Sequence, residues 1–155
     1  MVISGAIIRP MTAADVGEVY TVQRAAFVVE AQRYVDVLLP PLTETVDDIL
    51  DDLQRGVGLV AVLDGRLVGS IRVRAEGDVL HLSRLSVAPD LHGRGLGAQL
   101  LAAAERALPG RRAVLFTGEQ SASNLHLYTS RGYALTGQAK APGGVVLVHL
   151  AKELS

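Results

Sequence analysis

Hydrophobic positions change their period twice along the chain. Ala6 to Arg9 is a short apolar run that reads as a first strand, and Thr12 with Asp15 three residues on marks a helix N-terminus. Val16, Val19, Tyr20, Gln23, Phe27 and Glu30 then share one face of a helix of about Ala13 to Ala31. The pattern breaks between Gln32 and Glu44, around Pro40-Pro41. Thr45 with Asp48 caps a second helix carrying Val46, Ile49, Leu50 and Leu53, which Gly56 ends. From there the period shortens to β runs. Leu59 to Leu63 and Leu67 to Arg74 flank Asp64-Gly65, a two-residue hairpin signal, and Glu76-Gly77-Asp78 turns the chain into Val79 to Val87. After Pro89 comes a glycine-rich loop, then a helix with Leu96, Leu100, Leu101 and Ala104 on one side, stopped by Pro109-Gly110. A strand at Ala113 to Thr117, a helix capped by Ser121 or Ser123 and ended by Gly132, and strands at Tyr133 to Ala139 and Val145 to Leu150 complete the order β-α-α-β-β-β-α-β-α-β-β. Consecutive strands predict hairpins and intervening helices predict crossovers, so the sheet is mixed.

Composition narrows the function classes. The chain has 155 residues, 49% of them hydrophobic, with no Cys, no Trp and no internal repeat or linker, which predicts one domain over residues 1–155. At this length roughly 68–70% of the unfolded surface is buried, enough for a core without disulfides or a structural metal. A formal net charge of −1 gives no general attraction for a polyphosphate backbone, so no nucleic-acid partner is expected. The missing cysteine excludes thiol nucleophiles and Cys-type metal sites, and the 4 scattered His residues form no metal cluster. No apolar run reaches the roughly 20 residues of a membrane span, and the N-terminal apolar stretch is too short for a signal peptide. The expectation is a soluble cytoplasmic protein with no membrane partner.

His92-Gly93-Arg94-Gly95-Leu96-Gly97 carries the most specific chemistry. Glycine at alternate positions removes Cβ atoms, so backbone N–H groups converge on an oxyanion, and the helix that follows adds its unpaired donors and partial positive charge. Arg94 adds a possible charge-assisted bond to phosphate. The plainer reading is a flexible strand-to-helix turn. A P-loop would need Lys-Ser/Thr after its last glycine, and here Gly97 is followed by Ala98-Gln99, so no magnesium site is implied. A dinucleotide fingerprint belongs in the first βαβ unit of a parallel sheet, whereas this loop follows an antiparallel meander.

These residues resemble the GNAT superfamily of acyl-CoA-dependent N-acyltransferases, over nearly the whole chain. The family's phosphate motif is Gln/Arg-x-x-Gly-x-Gly/Ala after a strand ending apolar-small-Val-x-Pro. Leu85-Ser86-Val87-Ala88-Pro89 followed by His92 to Gly97 fits it, with His92 in place of the usual Gln or Arg. The second motif, an Asn, then Leu-Tyr, then Gly-Phe/Tyr, is matched by Asn124, Leu127-Tyr128 and Gly132-Tyr133. The resemblance implies an α+β, mixed α/β, three-layer fold: a central, mostly antiparallel seven-stranded sheet, about four helices, and a splay between the fourth and fifth strands. It implies acetyl-CoA as co-substrate and no metal. Leu85, Ser86 and Val87 would pair with the pantetheine arm, and His92, Gly93, Arg94, Gly95, Leu96, Gly97 and Ala98 would surround the pyrophosphate. Asn124 would bond the pantetheine or order its loop, and Tyr128 would sit near the sulfur as general acid.

Transfer of an acyl group from a thioester to an amine needs a neutral amine, a fixed geometry, a donor for the developing oxyanion and a proton for the leaving sulfur. No covalent intermediate is required, so a ternary-complex mechanism is expected, with a backbone N–H near Leu85 as oxyanion donor. Three residues are candidates for the base: His81 on the third meander strand, Glu119 at the C-terminal end of the next strand, and Glu30 at the end of the first helix; a water chain is the fourth alternative. The Glu30 to Thr45 segment supplies a candidate acceptor wall, with Tyr34 as an aromatic surface and Glu30 or Glu44 drawing in a cationic amine of a small molecule or peptide. Equally, Val35, Val37, Leu38, Leu39 and Leu42 merely roof the core. Arg72, Arg74 and Arg84 are an alternative site for an acidic substrate, although Arg72 and Arg74 alternate with Ile71 and Val73 as on a half-solvated strand. The apolar C-terminal strand offers an edge for a homodimer. A non-catalytic acyl-CoA sensor, a longer acyl donor and a hydroxyl acceptor are the competing functions.

Overall fold

The computed structural model describes residues 5–34 and 39–155; the Tyr34 side chain, Val35, Val37 and Leu38 lie outside the described residues. Strands β1 (Ile7–Pro10), β2 (Val57–Leu63), β3 (Arg66–Glu76), β4 (Val79–Val87), β5 (Arg112–Gly118), β6 (Ala134–Lys140) and β7 (Val146–Glu153) form one sheet in the order β1-β2-β3-β4-β5-β7-β6. Every neighbouring pair is antiparallel except β4 and β5. Helices α1 (Val16–Tyr34), α3 (Val46–Arg55), α4 (Leu96–Glu105) and α5 (Ala122–Ser130) match the four expected, and a single turn, α2 (Pro40–Thr43), is added where Pro-Pro opens a helix rather than only interrupting one.

Two apolar clusters sandwich the sheet and account for the three layers. Val16, Val19 and Ile49, from α1 and α3, pack with Val60 and Leu67. Leu96, Leu100, Leu101 and Ala104 of α4, with Tyr128 of α5, pack with Leu59, Ala61, Val68 and Ile71. Neighbouring β2 residues thus serve opposite cores, as a strand's period of two requires. Thr45 and Asp48 form the expected capping box, Asp48 N–H donating to Thr45 Oγ1 and Thr45 N–H to Asp48 Oδ2. Thr12 and Asp15 cap a 3-10 turn (Ala13–Asp15) that feeds α1. There Arg9 donates two bonds of 2.8 Å to Asp15, which with the Thr12 N–H hold its carboxyl well below the usual carboxylate range.

Three expectations change. The C-terminal strand β7 is not an edge: it lies between β5 and β6, and the edges are β1 and the wholly exposed β6. Ser121 stands at the N-cap of α5 but turns its hydroxyl to Glu30 instead of to the helix. Arg72 does not face water, because α1 and α3 cover that side of β3 and leave it 4% exposed, while Arg74 stays exposed. Arg72 bonds Glu44 closely, pairs with Asp52 at 3.0 Å and donates to Gln23 Oε1 at 3.2 Å. Gln23 in turn donates to Glu44 Oε1 and to the Pro41 carbonyl, both at 2.9 Å.

Gly69 was not singled out by the sequence pattern. A Cβ there would stand 2.9 Å from Leu100 Cδ1 and 2.9 Å from the Ser86 carbonyl, so α4 lies directly on β3. Gly69→Ala must displace the Leu100 side chain and the β4 backbone at Ser86, at about 1–3 kcal/mol, readable as a lowered denaturant midpoint. Arg72→Met, which leaves the buried Glu44 with Arg84 as its remaining cation, is expected to cost about 3–5 kcal/mol in the same measurement.

Candidate active site

Strand β4 contains one residue more than its partner can pair. Ser70 faces Ser86 and Arg72 faces Ser83, so two steps along β3 correspond to three along β4. The surplus is absorbed at Arg84, which is left-handed at φ +57°. A non-glycine residue in this region costs about 1–2 kcal/mol, and its surroundings hold it there. Ser86 Oγ donates to the Arg84 carbonyl at 3.2 Å, and the Arg84 guanidinium lies 3.4 Å from Glu44. On its other side β4 pairs with β5 at Val79–Arg112, Leu80–Ala113 and His81–Val114. Beyond these pairs β5 runs with β7 as far as Gly118, so β4 and β5 diverge.

Two hollows meet at the divergence. A groove of about 590 Å³ runs along the glycine loop and α5, lined by Leu85, Val87, His92, Gly93, Gly95, Leu96, Gly97, Ala98 and Asn124, and closed by Phe27, Glu30 and Arg33 of α1. A cavity of about 630 Å³ enters the gap between the strands, lined by Phe27, Glu30, Ser83, Arg84, Leu85, Phe116, Asn124 and Tyr128 among others. Phe27, Glu30, Leu85 and Asn124 border both.

Backbone geometry fits the groove to an anion. Gly93 and Gly95 have φ of +76° and +84°, and a Cβ on Gly93 would meet nothing within 4 Å, so open space lies over the loop. The α4 ladder begins with Gln99 N–H to the Gly95 carbonyl at 3.1 Å, leaving the N–H groups of Leu96, Gly97 and Ala98 ahead of it. His92 does not simply replace a longer polar residue: its Nε2 lies 2.9 Å from the Val87 carbonyl and braces the loop against β4. Ser86 is buried with its hydroxyl on Arg84, and Arg94 is exposed; neither side chain lines the groove.

At the junction, Tyr128 is 6% exposed and packs 6.0 Å from the Tyr133 ring. Burial, and then the charge of Glu30, push its phenol above the ordinary value of 10.0. Asn124 Nδ2 donates to Thr117 Oγ1 at 3.3 Å, joining α5 to the end of β5. Glu30 accepts from Arg33 at 2.9 Å and closely from Ser121 Oγ. The structure therefore brings together Glu30, Asn124, Tyr128 and the β4 bulge. His81 instead lines a separate hollow with Arg74 and His149 and lies 3.6 Å from Glu76. Glu119 is exposed and lines neither hollow. Glu44 stands behind the cavity wall, its carboxylate shared between Arg72, Gln23 and Arg84. Sequence reasoning did not select Phe27, Arg33 or Ser121 for the site. Phe27 was legible in retrospect, since it shares the α1 face with Glu30.

Among the described residues, no group of three or more His, Cys, Asp or Glu is placed to hold a metal ion, and no helix is long and apolar enough to cross a membrane.

Known proteins give the fold a family. Residues 45–154 match the model of an acetyltransferase (GNAT) domain. No curated protein matches the sequence. Among solved structures the fold is similar to a GNAT-family acetyltransferase from Streptococcus agalactiae, 19% identical, covering 98% of this chain and 97% of that one, TM-score 0.80. It is similar to the PaiA N-acetyltransferase from Thermoplasma acidophilum, solved in complex with coenzyme A, at 18% identity over 97% of this chain and 100% of that one, TM-score 0.76. YncA from Salmonella typhimurium, solved with its cofactor acetyl-CoA, is 20% identical over 98% of this chain and 95% of that one, TM-score 0.78. With the divergent β4 and β5, the bulge of β4 against β3 and the matched domain over most of its length, this chain belongs to the GNAT acetyltransferase family.

Proposed function

We propose that this acetyltransferase moves the acetyl group of acetyl-CoA directly to the nitrogen of an amine, in a ternary complex and without an acyl-enzyme. One observation carries the reading: the groove at the glycine loop and the cavity between β4 and β5 meet where Tyr128, Asn124 and Glu30 converge. The groove is assigned to coenzyme A. The loop and α4 N–H groups receive its pyrophosphate, and the backbone of Leu85 to Val87, released from β5 by the divergence, pairs with the pantetheine arm. Bound there, acetyl-CoA supplies an activated carbonyl carbon with a thiolate leaving group.

The protein supplies the rest. The cavity holds the acceptor so that its nitrogen lone pair faces that carbon, and a C–N bond forms as the C–S bond breaks. The backbone N–H of Leu85, next to the bulge, donates to the oxygen on which charge develops. The Tyr128 phenol gives its proton to the departing sulfur. Because its pKa is displaced upward, the phenol keeps that proton at every pH below its ordinary 10.0. Glu30 takes the proton lost by the nitrogen, since it is the carboxylate that borders both hollows; His81 and Glu119 do not reach them. Asn124 positions α5 against β5, and Glu44 acts on the acceptor wall indirectly, by holding Arg84.

Tyr128→Phe should lower kcat about 10²–10⁴-fold, the range of a lost general acid, with little change in affinity for coenzyme A measured calorimetrically. Because the Tyr128 phenol is displaced upward, its titration should contribute no alkaline loss of rate below pH 10, so wild type and variant should share any alkaline limb there. An unchanged kcat in the variant removes Tyr128 from the chemistry. Binding of acetyl-CoA with no amine-dependent release of free thiol, across a broad amine panel, would replace the enzyme with an acyl-CoA sensor.

A further inference from the structure

Resting on the acetyl-transfer reading, we infer that the acceptor is a small primary amine with an apolar body, of the arylalkyl or branched-alkyl type, and not a polyamine, an amino acid or a peptide. Among the described residues, the cavity between β4 and β5 carries two charged residues in its lining, Glu30 and Arg84. Arg84 is turned to Glu44, whose carboxylate also binds Arg72, so its charge is already met. Among the described residues Glu30 is therefore the one carboxylate in the cavity lining; Arg33 pairs with it at 2.9 Å, so an incoming amine shares it with that guanidinium and a second amine has no carboxylate of its own. Most of the remaining lining is apolar, with Leu39, Pro41, Leu82, Phe116, Pro142 and Leu147 contributing, and its neutral polar groups are Ser83, Thr117, Asn124 and Tyr128. A second ammonium, or the backbone of an extended peptide, laid along the apolar part of this lining would lose water for few polar partners, which is costly. A carboxylate on the acceptor would have to compete with Glu44 for Arg84.

Size and exposure agree. About 630 Å³ is within the range of small-molecule sites. Phe116 is 48% exposed on β5 while lining the cavity, a large apolar surface that an apolar ligand body would cover. The Pro40-Pro41 turn on one side and Pro142 on another are both restricted in φ, so the walls are set before the ligand arrives.

The test compares phenethylamine, isoamylamine, ethylamine, spermidine, phenylalanine and a lysine-containing tetrapeptide. Acetyl transfer is followed by thiol release, and binding is measured calorimetrically on the enzyme saturated with coenzyme A. Phenethylamine or isoamylamine should exceed ethylamine in kcat/KM on the order of 100-fold, the scale set by added methylenes in an apolar pocket. Glu30→Gln should weaken binding of the apolar amines, and Phe116→Ala, at an exposed position that should not impair folding, should narrow the phenethylamine-to-ethylamine ratio. Preference for spermidine, phenylalanine or the peptide overturns the inference and leaves acetyl transfer standing. Calorimetric binding of the apolar amines without thiol release does the reverse. Failure of every apolar amine to bind overturns the inference outright.

Discussion

The surplus residue in β4 has to go somewhere, and it is taken up at Arg84 in a left-handed conformation that only its surroundings can hold. That single accommodation turns β4 relative to its neighbours. Before the bulge, β4 pairs with β5 at Val79 to His81; after it, the strands diverge and the groove and the cavity open on each other. Ser86 clasps the Arg84 carbonyl from within the strand, and Glu44 holds its side chain from the α2–α3 connection. The site is thus a consequence of a local failure of pairing in β4, beside a β5 that stays locked to β7 along seven residue pairs.

The same cluster explains why charged residues sit where the strand pattern calls for apolar ones. Burial lowers the pKa of the Arg72 guanidinium, and the charges of Glu44 and Asp52 oppose that shift. An apolar replacement of the whole set could be equally stable. What the ions add is direction: Glu44 reaches Arg72 on β3 and Arg84 on β4, and Gln23 on α1 donates to the Glu44 side chain and the Pro41 carbonyl. Three segments of chain are registered by one carboxylate. This removes Glu44 from direct reach of an acceptor and leaves Glu30 as the carboxylate of the cavity among the described residues.

Much of this was legible in residue order. The β meander, the Asp64-Gly65 hairpin, the glycine loop and the Asn124, Tyr128 motif each carry their information locally, in spacing or in turn chemistry. What was not legible depends on elements distant in sequence. Arg72 alternates with Ile71 and Val73, and only the helices laid over β3 decide that its face is dry. The C-terminal strand is apolar, and only its insertion between β5 and β6 shows that this apolar character serves an interior position. Ser121 has the chemistry of a helix cap, but Glu30 lies 91 positions away in the chain and competes for its hydroxyl. His92 departs from the family pattern in residue type yet keeps a structural task, since an imidazole is long enough to reach the Val87 carbonyl.

The proton path in the proposed chemistry follows from the placement of two groups rather than from the strength of either. Tyr128 is carried by α5 on one face of the sheet, and Glu30 by α1 on the other, so the gap between β4 and β5 is where they sense each other. Burial raises the Tyr128 pKa, and the Glu30 charge adds to the rise, so the phenol stays neutral while the carboxylate is close by. A substrate reaching into the gap from each side would find a donor on the sulfur side and an acceptor on the nitrogen side. The hydrogen bonds that Glu30 accepts come from Ser121 at the start of α5 and from Arg33 on α1, so the carboxylate is tied to both faces of the sheet at the gap that Tyr128 lines.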